Sequence, residues 1–97
     1  MNRNDTDEIS EMSAILADEK NSDKINSFII ELLTKSEVET LSKRWRILKM
    51  LSEDYTQREI AKELKVSLCK VTRGAQILKN EKSVAAQYIK KGKTYEH

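Results

Sequence analysis

An all-α fold of about six helices is what this sequence predicts, and three observations predict it. The ninety-seven residues include no proline and only two glycines, so the two strongest helix breakers are nearly absent. Apolar residues recur at spacings of three and four along most of the chain, the period of a helix with one buried face. Thr34 and Thr56 are each followed three residues later by a glutamate, the pattern that satisfies the free amides at a helix start. Aromatic residues are scarce and β-branched runs are short, which leaves strands little support.

The elements follow in chain order. Ile9, Met12, Ile15 and Leu16 allow an amphipathic helix around residues 8–19, inside an acidic arm of residues 1–22 that is expected to be only partly helical. Ile25, Phe28, Ile29, Leu32 and Leu33 mark a second helix from Asp23 to Leu33. The Thr34–Glu37 box opens a third, whose apolar stripe is Val38, Leu41, Trp45 and Leu48, widened by Ile47 and Leu51. It is expected to end near Ser52-Glu53-Asp54, with Trp45 in the core or at a dimer interface. Thr56-Gln57-Arg58-Glu59 opens a short fourth helix through Leu64. Val66-Ser67 then forms a tight turn, and Ser67 caps a fifth helix to about Leu78. Ser83 to Tyr88 form a sixth, and residues 91–97 are expected to fray. The helical domain proper is residues 23–90.

A chain of this length forms one domain with a thin stability margin, for which oligomerisation is a usual remedy. A homodimer is therefore the expectation. No apolar run approaches the ~20 residues of a membrane span, and the polar, acidic N-terminus is unlike a signal peptide. A cytoplasmic protein that does not engage a membrane is expected. One cysteine (Cys69) and one histidine (His97) give little raw material for a metal cluster or a nucleophile–base pair. No catalytic residue, metal ligand or cofactor is assigned, and the chain is not expected to be an enzyme.

The charge is unevenly spread. Residues 1–24 hold three Lys/Arg against seven Asp/Glu, a balance of −4, while residues 43–93 hold fourteen against five, a balance of +9. A basic second half behind an acidic arm suits a polyanionic partner. Within it, residues 56–79 have the spacing of a helix-turn-helix. Ile60 and Leu64 face inward, Ala61 keeps the crossing close, Val66 plugs the turn and Val71 locks the second helix. Ser67, Leu68, Cys69, Lys70, Thr72 and Arg73 are left on the outer, leading part of that helix, where side chains reach base edges in a major groove. Gln57 and Arg58 open the first helix, and with Lys62 and Lys79 complete the expected DNA-contacting set. Lys65 stands where such turns usually carry glycine. Either the turn differs or the packing absorbs a strain on the order of 1 kcal/mol.

These residues resemble those of the bacterial tryptophan repressors. The likeness is carried by Leu33-Thr34, by Leu41-Ser42-Lys43-Arg44-Trp45-Arg46-Ile47, by Gln57-Arg58-Glu59-Ile60, and above all by Val71-Thr72-Arg73-Gly74 with Leu78-Lys79. The resemblance implies an intertwined homodimer that binds double-stranded operator DNA with L-tryptophan as corepressor, controlling genes of tryptophan biosynthesis or transport. It further implies that Arg44 and Arg73 sandwich the indole, that Gly74 leaves room for the ring, and that backbone carbonyls at Leu32, Leu33 and Thr34 receive the ammonium group. Guanidinium planes stack well on aromatic faces, which fits the two arginines for that task. One position departs: Ile77 stands where the family places a small hydroxyl residue. That departure keeps open a regulator that binds DNA without tryptophan, or with another indole compound. A helical protein-interaction module using the same surfaces is the reading from a different class.

Overall fold

The computed structural model describes residues 4–95, with side chains described as far as Lys91. Every described element is a helix: α1 (Asp5–Asp18), α2 (Ser22–Leu32), α3 (Lys35–Ser52), α4 (Gln57–Leu64), α5 (Leu68–Lys79) and α6 (Val84–Tyr95). The chain divides into two compact units, residues 1–38 and 39–97, with α3 beginning in the first and ending in the second.

Local chemistry sets the helix starts. The Asn4 side chain accepts from the Asp7 amide at 3.0 Å, and the Asn21 side chain accepts from the Asp23 amide at 2.9 Å. At α3 the Glu37 amide donates to Thr34 Oγ1 (3.1 Å) while the Thr34 amide donates to Glu37 Oε1 (2.9 Å). The same reciprocal pair recurs at α4 between Thr56 and Glu59, at 3.1 and 2.8 Å. Ser67 Oγ accepts from the Lys70 amide, and Ser83 Oγ from the Ala86 amide. Each cap satisfies an amide that has no partner inside its own helix.

In the first unit α1 and α2 carry no buried residue. Ile9, Ile15, Ile29, Ile30 and Leu32 are all exposed on the single chain. The second unit holds the core. Ile47, Ile60, Leu64 and Val71 form one buried cluster, with Met50, Leu51, Ala61 and Val66 packed against it. Ile60 and Val71 are 0% exposed. Ala86 and Ile89 are buried on α6, which packs on α5.

Three expectations are corrected. The buried stripe of α3 is confined to its second half, at Ile47 and Leu48, because only that half has α4 and α5 to pack against. Leu41 is exposed, and Trp45 stays 43% exposed, so Trp45 is not a core residue of the single chain. The last helix runs Val84–Tyr95, longer than the Ser83–Tyr88 expected; Glu96 and His97 lie outside the described residues.

Two turns use the left-handed backbone without glycine. Asp54 (φ 69°) ends α3 and Lys65 (φ 56°) ends α4. In each, the amide of the next residue reaches back to close the helix: Tyr55 to the Met50 carbonyl at 3.2 Å, Val66 to the Ala61 carbonyl at 3.1 Å. Packing thus absorbs the strain at Lys65, since Val66 and Ala61 both sit against the core. Replacing Lys65 with Gly removes the Cβ clash of the left-handed conformation. The expected outcome is a gain of about 1 kcal/mol in a urea unfolding experiment.

Candidate nucleic-acid interface

Helix α4 packs directly on α5, and the inward positions Ile60, Leu64 and Val71 are buried. That packing turns the polar residues of both helices outward. Arg58 and Lys62 are exposed on α4, four residues apart and so on one face. Ser67, Leu68, Cys69, Lys70, Thr72, Arg73 and Lys79 are all exposed along the start and outer side of α5. Gln57 is half-buried, at the first position of α4. The two-helix motif is therefore built, with its expected contact residues outside and its expected anchors inside.

The leading end of α5 suits an anion. Its first turn holds no acidic residue, and its opening amides have no acceptor inside the helix. Lys70 stands in that turn. One link within this surface was not read from the sequence: Thr72 Oγ1 donates to Gln57 Oε1 at 2.8 Å, joining α4 to α5. Neither side chain carries a signal for it, because the residues are fifteen positions apart and only the crossing brings them together.

A groove also missed in the sequence lies beside α4. It encloses about 890 Å³ and is lined by Arg46, Lys49, Lys62 and Lys65 together with Glu53, Glu59, Glu63, Met50 and Tyr55. Its four cations face three carboxylates, so it favours anions only weakly. Glu59 is committed to the helix start. The Thr56 amide and hydroxyl hold its carboxyl below the usual glutamate range.

The residues that the resemblance assigns to a ligand fall in both units. Leu32, Leu33 and Thr34 belong to the first, while Arg44, Arg73, Gly74 and Ile77 belong to the second. The last turn of α2 has no basic residue to complement its free carbonyls, an end that attracts cations. The Thr34 carbonyl accepts from the Val38 amide at 2.9 Å. Arg44 and Arg73 are exposed, each within one turn of the contact between α3 and α5. Gly74 forms that contact. A Cβ at this position would lie 2.7 Å from Ile47 Cγ2 and 3.4 Å from Leu51 Cδ1. The missing side chain is thus required by helix packing, and Ile47 fills the space in front of it.

A family model described as Trp repressor protein matches residues 7–96. The chain belongs to the Trp repressor family. Family members are transcriptional repressors, not enzymes. Among relatives, a Trp operon repressor homolog of Xylella fastidiosa (strain 9a5c) is 40% identical over 62 residues, covering 63% of this chain and 67% of that protein. No solved structure matches. No helix of the described residues is long and apolar enough to cross a membrane.

Two outcomes follow from this geometry. Gly74→Ala is expected to lower the unfolding midpoint. Ile47 branches at Cβ and cannot swing aside freely, so overpacking of about 1–3 kcal/mol exceeds the ~1 kcal/mol gained in helix propensity. The Glu59 cap is expected to weaken in acid. Its folded-state pKa is depressed, so its contribution is full above the unfolded glutamate range and is lost as pH falls through the lower folded value. The protection of the Thr56 amide, the intrinsic exchange rate divided by the observed rate at each pH, should fall as pH drops through that window in the native chain and change little in Glu59→Gln.

Proposed function

We propose that this chain represses transcription by binding operator DNA as a homodimer, with α5 in the major groove and L-tryptophan as corepressor. The observation that carries the reading is the α4–α5 packing, which buries Ile60, Leu64 and Val71 while Lys70, Thr72 and Arg73 remain exposed. Arginine and lysine donate to guanine acceptors or phosphates. Arg58 and Lys62 supply phosphate contacts from α4, and Leu68 and Cys69 supply apolar contact at the leading end of α5.

The dimer is supported by the apolar surface of the single chain. Ile9, Ile15, Ile29, Ile30, Leu32, Leu41 and Trp45 are exposed, and α1 and α2 carry no fully buried residue. A second copy is the partner that would remove such a surface from water. Tryptophan is supported by the family and by the types of Arg44, Arg73 and Gly74. The ligand ammonium would meet the carbonyls at the end of α2, near Leu32, Leu33 and Thr34. A second reading, DNA binding without tryptophan, is favoured by two particulars. Ile47 closes the space before Gly74, and Ile77 replaces the family's small hydroxyl residue.

The test begins with selection of a binding site from a random duplex library, followed by affinity measurements over a range of salt. Binding is expected to weaken steeply between low and physiological salt, and Lys70→Ala to cost roughly 1–3 kcal/mol. Adding L-tryptophan is expected to tighten binding to the selected site. A salt-resistant interaction unaffected by Lys70→Ala rules out the DNA-binding reading. DNA binding indifferent to tryptophan selects the second.

A further inference from the structure

The Thr72–Gln57 hydrogen bond divides the labour between two residues that the sequence alone places together among the DNA contacts. A threonine hydroxyl has one proton, and here Thr72 Oγ1 gives it to Gln57 Oε1 at 2.8 Å. While that bond stands, Thr72 has no proton left for an acceptor on DNA. Gln57 is in the opposite position. Its carbonyl oxygen is engaged, while its two amide N–H groups remain as donors on the far side of a planar group. Fixing the oxygen fixes the direction of those donors, because the amide cannot turn without breaking the bond. Gln57 is half-buried at the first position of α4, so the chain already restricts its stem.

We propose that Thr72 is a positioning residue: it holds the Gln57 amide so that its N–H groups face an acceptor oxygen of bound DNA. This inference rests on the DNA-binding reading above and assigns the two residues different roles within it. Thr72 also couples the helices. Gln57 belongs to α4 and Thr72 to α5, so a contact made by Gln57 reports directly on where α5 lies. The benefit is pre-organisation, since a side chain already held in its binding rotamer loses less freedom when DNA arrives.

The test uses the full chain and the duplex selected above. Thr72→Val keeps the shape and both branches at Cβ but removes the hydroxyl; Thr72→Ser keeps the hydroxyl and removes the methyl. Thr72→Val is expected to weaken binding about three- to tenfold, the range of one ordinary hydrogen bond, and Thr72→Ser to stay near the native affinity. In the Gln57→Ala background Thr72→Val is expected to cause no further loss, because the amide it positions is gone. Without DNA, the side-chain amide resonances of Gln57 should shift in Thr72→Val and hold in Thr72→Ser. A loss equal on selected and scrambled duplexes identifies the acceptor as a phosphate; a loss confined to the selected duplex identifies a base edge.

Three results overturn the inference. The first is native affinity in Thr72→Val. The second is a loss in Thr72→Ser but not in Thr72→Val, which would make the methyl the contact. The third is additive loss in the double variant, which would make Thr72 an independent contact. Failure of the native chain to bind any duplex removes the DNA-binding reading itself, a result distinct from all three.

Discussion

The burial of Ile60 against Val71 governs the direction of every polar side chain on the candidate interface. Both are 0% exposed, and each lies on a helix too short to be stable alone. With those two positions turned inward, the helical period leaves Arg58 and Lys62 outside on α4, and Lys70, Thr72 and Arg73 outside on α5. The outward surface is thus a consequence of the inward one. Leu64 and Ile47 extend the same cluster, so α3 supplies the platform on which the two short helices rest.

Close approach is the second constraint on that platform. Gly74 lets α5 come near enough to α3 for Ile47, Leu48 and Leu51 to pack across the space a Cβ would take. Arg73, the next residue back, is therefore carried by a backbone that packing holds firmly while its own side chain stays in solvent. Arg44 lies one helical turn before Ile47 on α3. The two arginines that the family resemblance singles out are thus tied to one crossing, whatever else occupies their surroundings.

The first unit obeys a different economy of surface. Its helices are well capped, by Asn4 for α1 and Asn21 for α2, yet within the single chain none of their residues is more than half-buried. Caps set where a helix begins, but they contribute only about 1 kcal/mol each. Packing of an apolar face normally supplies most of the rest. Ile9, Ile15, Ile29 and Ile30 are apolar positions left exposed in the single chain. Leu41 and Trp45 on α3 are likewise exposed.

Sequence by itself determined the six helices and the starts of α3, α4 and α5, while the Asn4 and Asn21 caps that open α1 and α2 were not read from it. Thr34, Thr56 and Ser67 were legible as caps because an N-cap bond spans only three residues, and the two-helix motif was legible because its buried positions follow one period. The exposure of nearly every expected DNA-contacting residue followed from the same pattern. Tertiary structure decided the rest. Trp45 sits on the α3 stripe, but only the arrangement of neighbours determines that Ile47 and Leu48 are covered while Trp45 is not. Lys65 was visible as an anomaly, and only the packing of Val66 and Ala61 shows how its left-handed backbone is held. Gly74 meeting Ile47 and Gln57 meeting Thr72 are contacts between residues distant in the chain. Local propensity encodes neither, because each exists only where two helices cross.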